Sequence, residues 1–541
     1  MAKNKIIFLF FLVLFNVILA KPKQDKFIVY FKDKPVDKNV ERLFSKEAVE
    51  YRKKFNIPVD ERDFPVDVNY IEQLKNERAT IINTSNWLNA SLISIDIKKS
   101  LKIQQFPFVS NVIKVEKKKL VGISSTKHIT ECVEANEVQD FEDNYNTSFP
   151  QVHLLNGEYL HEQGFNGENM TIAICDNGFY RADSNLAFKS LFDEHRILGT
   201  YDYVHNDSLV YDESGGVHGS NCLSFIAAFK DSHYIGTATK SNFYLFHTEN
   251  NSNERLQEEF NLAVALERCY QLGVDVVSIS LGYTTFDIPS ESHDTSDFRL
   301  NNTPASKAVN IASSKGMLVC VAAGNEGAKP WKYISSPADA DSAFCIASVD
   351  INGNVATSSG HGLPNDSRIK PNIAAVGVNA KFINSIGNVA VGNGTSYATP
   401  QIAGLAACLW QAFPTKTNWE IKTAIEQSAS QFLTPDKRIG YGIPDFKKAY
   451  DILTTTTYVS TLELENKLTI YPNPVGNILN IQNNSNLTIE SITLLNHIGQ
   501  LIFIINSTQQ STINIESLAS GLYLLKINTD KGIVIKKIIK E

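Results

Sequence analysis

The chain predicts an α/β protein: a doubly wound, mainly parallel sheet, preceded by a small α+β unit and followed by an all-β sandwich. Three observations carry this. Within residues 151–450, the continuous apolar run at 171–175 has the hydrophobicity of a strand buried on both faces, and further strand-like runs follow at 274–280 and 317–323. Between those runs lie segments of helical period, and strand–helix alternation is the pattern of a parallel sheet wound through crossover helices. From Leu468 onward helix-length periodicity stops, and short β runs alternate with Asn- and Gly-rich turns. With 541 residues, of which 43% are hydrophobic and 20% charged, the chain is long enough for roughly two to four domains and can bury a large core. Its net charge of −7 leaves no basic footprint, which argues against nucleic acid as a partner.

Residues 1–20 carry Lys3 and Lys5, an apolar run at 6–15, and Ala20 before the charged Lys21-Pro22-Lys23. That is the order of a secretory signal with a small-residue cleavage position. The run is interrupted by Asn16 and is short for a membrane span, and no lipobox-type cysteine stands near Ala20, so a removed signal is favoured over an uncleaved anchor or a lipoprotein. The seven cysteines are odd in number and show no C-x-x-C spacing. Cys175, Cys320 and Cys345 in strand-like runs, and Cys222, Cys269 and Cys408 in helix-like runs, read as small buried hydrophobes. An exported location would allow one disulfide, but no pairing is legible.

Residues 21–122 make the α+β unit, with a strand-like run at 26–31, a charged helical segment from Val40 to about Phe55, and strand-like runs at 92–95 and 108–115. Such a unit, set between an export signal and a larger domain, reads as a propeptide, with an independent binding module as the alternative. The polar stretch 122–145 is the boundary. In the central domain the expected order is strand 171–175, then a helix with Cys222, Phe225, Ile226 and Phe229 on one face. A helix at 254–272 stopped by Gly273 follows, then strand 274–280. Next comes a helix opened by Pro304 at its first position and closed by Gly316, then strand 317–323. Thr454, Thr455, Thr456 and Thr457 read as a linker, and residues 465–541 as a sandwich without reactive equipment.

One stretch, Gly392-Asn393-Gly394-Thr395-Ser396-Tyr397-Ala398-Thr399-Pro400, stands before a small-residue run expected to form a helix pressed against the sheet. Proline is tolerated without loss only in the first helical turn, which places the helix start at about Ser396. The Ser396 hydroxyl would then sit among free N–H donors at the positive end of the helix dipole, where a nucleophile that generates an oxyanion is well served. The alternative is a plain N-cap. A serine hydroxyl also needs a base, and the base needs an orienting group. Asp176 directly follows the run 171–175, His218 opens the helix carrying Cys222 within Gly215-Gly216-Val217-His218-Gly219, and Asn325 ends the run 317–323 in Gly324-Asn325-Glu326-Gly327. Singly, each can be a turn or cap residue. Together they place four polar, glycine-flanked residues at element ends, where active groups of open α/β sheets gather.

On these four blocks, residues 151–450 resemble a subtilisin-like serine protease, a subtilase. The resemblance implies that Asp176 orients His218, that His218 acts as general base and then general acid, and that Ser396 is the acyl-forming nucleophile. Asn325 would donate its side-chain amide to the oxyanion together with the Ser396 N–H. The order Asp, His, Ser is that of subtilisin. An α/β-hydrolase esterase needs its acid and histidine after the serine; the only histidine there is His497, and position 398 is Ala where G-x-S-x-G needs glycine. Two blocks depart from the family: Asp176-Asn177-Gly178 stands where Asp-Ser/Thr-Gly is usual, and His218-Gly219-Ser220-Asn221 where His-Gly-Thr-His is usual. Neither alters a triad residue.

The resemblance makes Ser280, Leu281 and Gly282 one wall of the primary pocket, pairing with an extended peptide, and Ala323 and Gly324 the other. Small, uncharged walls imply an apolar or medium-large P1 residue. Calcium is common in the family, but Asp339 and Asp341 do not make a complete oxygen-ligand loop, so no metal is assigned and no cofactor is required. Residues 21–122 resemble the subtilase propeptide, an intramolecular chaperone and inhibitor. Residues 465–541 carry Tyr471-Pro472-Asn473-Pro474-Val475, Gly499-Gln500, Gly521-Leu522-Tyr523 and a basic end, and resemble a type IX secretion sorting domain. That implies engagement of the type IX machinery and export to the exterior or outer cell surface. The expected function is a secreted endopeptidase acting on proteins or peptides. The alternative from another class is a surface adhesin that keeps the fold without useful catalysis.

Overall fold

The computed structural model describes residues 24–37, 39–115, 133–134, 145–213, 215–458, 467–484, 487–496, 501–505, 512–530 and 532–541. The signal segment, much of the boundary 122–145, Cys132 and His497 lie outside them. The six described cysteines are buried and free. No helix among the described residues is long and apolar enough to cross a membrane.

The N-terminal unit is a four-stranded antiparallel sheet in the order β2-β3-β1-β4, formed by β1 (Gln24–Phe31), β2 (Thr80–Ser85), β3 (Ala90–Asp96) and β4 (Val109–Val115). Helices α1 (Lys46–Lys54), α2 (Val68–Asn76) and α3 (Ile97–Ile103) complete it. Alternation along β1 divides its side chains between two cores. Phe27, Val29 and Phe31 join Leu74, Ile93, Ile95 and Ile103 in the unit's own core. Ile28, with Trp87, Leu92 and Val115, packs instead into a cluster shared with Phe260, Leu266 and Tyr270 of the central domain.

The central sheet has seven parallel strands: β5 (Thr171–Asp176), β6 (Ile197–Asp202), β7 (Asn242–His247), β8 (Val276–Ile279), β9 (Leu318–Ala322), β10 (Phe344–Val349) and β11 (Ile373–Val376). Their order is β11-β10-β9-β8-β5-β7-β6, so the chain begins in the middle, places β6 at one edge with β7 returning beside β5, and then builds outward through β8 to β11 on the other side. The winding order reverses between β5 and β8, which pair in parallel, and that switch point is where such sheets open a crevice at the strands' carboxyl ends. Ile172 and Ile174 of β5 face one helical layer, with Ile226, Ile402 and Leu405. Ala173 and Cys175 face the other, with Phe260, Leu266 and Val309. The first layer contains α4 (His218–Ala227) and α7 (Thr395–Ala412); the second contains α5 (Leu256–Leu272) and α6 (Pro304–Ser314). The expectation of a doubly wound parallel sheet therefore holds.

Local expectations differ in three places. Helix α4 stops at Ala227, so Phe229 is not on its apolar face; it is 45% exposed in a short strand that follows. A final helix, α8 (Phe446–Tyr458), runs through the threonines read as a linker, and within it the Thr454 and Thr455 hydroxyls donate to the carbonyls of Tyr450 and Asp451 one turn back. Helix α7 starts at Thr395, which leaves Pro400 inside it rather than in its first turn.

The C-terminal unit is all antiparallel. One sheet holds β12 (Leu468–Tyr471), β13 (Ile478–Asn483) and a short strand at Thr512–Asn514; the other holds β14 (Ile489–Asn496), β15 (Leu501–Ile505), β16 (Gly521–Thr529) and β17 (Gly532–Lys540). Leu479, Ile492, Leu494, Leu525, Ile527, Val534 and Ile538 fill the space between the two sheets.

Candidate active site

Asp176 is the last residue of β5 and fully buried, and His218 is the first of α4. Glycine makes their approach possible: a Cβ on Gly219 would lie 2.4 Å from the Gly178 carbonyl oxygen and 3.1 Å from Asp176 Cβ. The His218 Nδ1–H donates to Asp176 Oδ1 at 2.7 Å, and the same oxygen accepts the Asn177 N–H at 2.7 Å. The imidazole also stacks on Tyr397, with ring centroids 6.1 Å apart. Burial alone would push the His218 value down, but the adjacent Asp176 carboxylate outweighs it and holds the imidazole well above its ordinary 6.5. Cys222, one turn along α4, has its Sγ 3.7 Å from His218 Nδ1, and burial pushes its thiol up to about 11. At neutral pH it is therefore an uncharged neighbour.

Ser396 is the second residue of α7. Gly394, at φ +154°, precedes the helix, and the N-cap acceptor comes from outside it: Asn325 Oδ1 accepts the Thr395 N–H at 3.0 Å and the Thr395 hydroxyl at 3.2 Å. Pinning Oδ1 in this way leaves the Nδ2 amide as Asn325's free hand. Gly394 keeps the space beside it open, since a Cβ there would lie 3.5 Å from Nδ2. Pro400 has no N–H to give the Ser396 carbonyl. That carbonyl instead accepts the Ser280 hydroxyl at 3.0 Å and the Cys222 thiol at 3.6 Å. So Pro400, expected to mark the first turn, instead frees a carbonyl through which Ser280 and Cys222 hold the serine's backbone. The Ser396 hydroxyl donates to the Ser280 carbonyl at 3.2 Å. Among the described residues no hydrogen bond joins it to His218, in keeping with the loose geometry of such pairs without substrate.

The wall residues leave from adjacent strands. Ser280, Leu281 and Gly282 follow β8, Ala323 and Gly324 follow β9, and β8 pairs in parallel with β9. Ser280 is buried, Leu281 half-buried and Gly282 exposed. Between the walls lies Ser335, which sequence reasoning missed. A Cβ on Gly282 would fall 2.1 Å, and one on Gly324 2.6 Å, from its Oγ. Ser335 is 2% exposed, and its hydroxyl has no hydrogen-bond partner among the described residues. No local pattern marks it, because only folding brings position 335 between 282 and 324. Asp339 Oδ1 accepts the Ser306 hydroxyl at 2.5 Å, whereas Asp341 Oδ1 pairs with Arg368 at 2.6 Å.

A buried acid on an imidazole, and a serine at a helix N-terminus beside a pinned amide, all on one edge of a parallel sheet, are the equipment of a serine hydrolase. The chain belongs to the subtilase family of serine endopeptidases, whose family model matches residues 167–442. Residues 26–131 match the Bacteroidota propeptide domain of peptidase family S8, and residues 469–541 match the secretion system C-terminal sorting domain. The sorting domain marks the chain for export to the exterior or outer cell surface. Similar proteins include the serine protease AprX of Bacillus subtilis, 28% identical over 311 residues, covering 52% of this chain and 65% of AprX. Subtilisin DY of Bacillus licheniformis is 26% identical over 281 residues, covering 52% of this chain and 90% of the relative. Subtilisin Savinase of Lederbergia lenta is 30% identical over 271 residues, covering 50% and 87%.

Proposed function

We propose that the chain is a secreted endopeptidase that cleaves proteins or peptides through a Ser396 acyl-enzyme. The observation that carries this reading is the pinning of Asn325: Thr395 holds Oδ1, so the Nδ2–H stands ready beside Ser396. In this mechanism His218, held by Asp176, takes the Ser396 proton as the hydroxyl swings from the Ser280 carbonyl to attack the scissile carbonyl. The oxyanion that forms is met by the Asn325 amide and the Ser396 N–H. His218 then passes the proton to the leaving amine, and water repeats the cycle on the acyl-enzyme.

An extended substrate pairs with residues 280–282 by strand addition, and its P1 side chain enters between Gly282 and Gly324 toward Ser335. No metal or cofactor takes part in these steps. The N-terminal unit inhibits and templates the domain it packs on, and the sorting domain engages the type IX machinery. A fluorophosphonate probe should label the matured protein at Ser396, and Ser396→Ala should abolish both labelling and peptide hydrolysis. A folded, matured protein that resists the probe would leave the alternative, a subtilase fold kept for surface binding.

A further inference from the structure

Asp202, His205 and His247 form a second cluster of reactive side chains, on the far side of β5 from Ser396. Asp202 ends β6, His247 ends β7, and strand register aligns His247 with both Asp202 and Asp176. One carboxylate oxygen, Asp202 Oδ2, faces His247 Nδ1 at 2.8 Å and His205 Nδ1 at 2.9 Å. The three ligand atoms lie within 4.8 Å of one another.

Hydrogen bonding fixes which nitrogen of His247 faces the cluster. His247 Nε2 lies 2.6 Å from the Glu249 carbonyl, which can only accept, so Nε2 carries the hydrogen. Nδ1 is then the nitrogen that faces Asp202 Oδ2, beside His205 Nδ1, and the three potential ligand atoms are gathered in one place. The supports around the cluster are those of ligating groups: a histidine whose other nitrogen donates to a backbone carbonyl, and a carboxylate whose second oxygen is fixed. Asp202 Oδ1 accepts the Val204 N–H at 2.7 Å and the His205 N–H at 2.8 Å. Space is also kept at the His247 edge, because a Cβ on Gly215 would come within 3.3 Å of Nδ1 and 3.2 Å of Cε1. Asp202 and His247 are buried, while His205 is 49% exposed and opens the cluster to solvent.

We propose that Asp202, His205 and His247 bind a divalent transition-metal cation of the zinc class. Two imidazole nitrogens and one carboxylate oxygen suit such an ion and disfavour calcium or magnesium, which take all-oxygen sets. Water supplies the fourth ligand of a tetrahedron. Bonds of about 2 Å set tetrahedral ligand atoms roughly 3.3 Å apart, so loading opens the two oxygen–nitrogen edges by about half an ångström; the exposed His205 can supply that movement. The ion would tie the ends of β6 and β7 together beneath Gly215, in the segment leading to His218. Thr248, next to His247, donates its N–H to the Asp176 carbonyl at 3.0 Å, so the site braces the Asp176–His218 pair without touching substrate.

The test uses the full chain carrying Ser396→Ala to prevent self-digestion, stripped with chelator and titrated with zinc against a chromophoric competitor. His205→Ala in the same background is the comparison, since an exposed residue can be removed without endangering the fold. The parent should bind one more zinc per chain than His205→Ala, or bind it about 10–100-fold more tightly. Its Tm should rise with zinc and not with calcium, and that rise should be missing in His205→Ala. Cobalt in this site should give a d–d spectrum without a thiolate band, which separates it from uptake at Asp176, His218 and Cys222. Equal zinc affinity and equal Tm response in the two proteins would overturn the site.

Discussion

Replacing Asn325 removes a helix cap at one end of its side chain and, in the proposed mechanism, the oxyanion donor at the other. Oδ1 caps α7 by accepting from Thr395 at 3.0 and 3.2 Å, while Nδ2 faces the space beside Ser396. Losing a cap of this kind costs about 0.5–2 kcal/mol of stability. Losing an oxyanion donor costs about 2.7–4 kcal/mol of transition-state stabilisation, a fall of about 10²–10³ in kcat. Asn325→Ala should therefore lose both. Asn325→Asp separates them: the carboxylate keeps the acceptor and, at a helix N-terminus, adds about 0.3–1 kcal/mol, but it offers no N–H to the oxyanion. We expect Asn325→Asp to unfold in urea at or above the wild-type midpoint, measured in the Ser396→Ala background. Its kcat on a chromogenic peptide should nevertheless fall at least as far as that of Asn325→Ala. Near-full turnover in Asn325→Asp, with Asn325→Ala losing only stability, would make Asn325 a cap and refute the oxyanion argument.

Since Asp176 holds His218 well above 6.5 and catalysis needs the neutral imidazole, kcat/KM should fall as pH drops through that raised value. The raised value also means that the pair stabilises the fold fully below the unfolded value and loses that contribution as pH rises through the folded one. Asp176→Asn should lower the rate and move the acid limb of the pH profile to lower pH; an unmoved limb would exclude Asp176 as the partner. Ser335→Leu should fill the space between Gly282 and Gly324 and cut kcat/KM for large P1 residues by about 10–200-fold relative to small ones; an unchanged profile in a peptide library would place the pocket elsewhere. Glu267 accepts hydrogen bonds from Asn86 N–H at 2.8 Å, Trp87 N–H at 3.1 Å and the Ser85 hydroxyl at 3.2 Å. Glu267→Ala should weaken inhibition by the added N-terminal unit by about 1.5–3 kcal/mol, read as its inhibition constant, with activity unchanged once that unit is gone.

Much of this was legible because its signals are local. Unbroken apolar runs mark strands buried on both faces, and glycine beside Asp176, His218, Asn325 and Ser396 marks backbones that must come close. The family resemblance drawn from those four blocks agrees with the match over residues 167–442. The helical period extrapolated to Phe229 overshoots, because α4 ends at Ala227, and the composition read as a linker at Thr454 to Thr457 instead continues α8.

By itself the sequence determined the element types, the sheet class and the residues able to do chemistry, since periodicity, side-chain type and glycine freedom are properties of short segments. Tertiary structure alone decided which atoms those residues present. It turned Asn325 Oδ1 to Thr395 and so freed Nδ2, routed the carbonyl released by Pro400 to Ser280 and Cys222, and set Ser335 between two glycines. It also aligned Asp202 and His247 at neighbouring strand ends. These are contacts between distant segments, fixed by strand order and register in the folded sheet, and no local pattern encodes them.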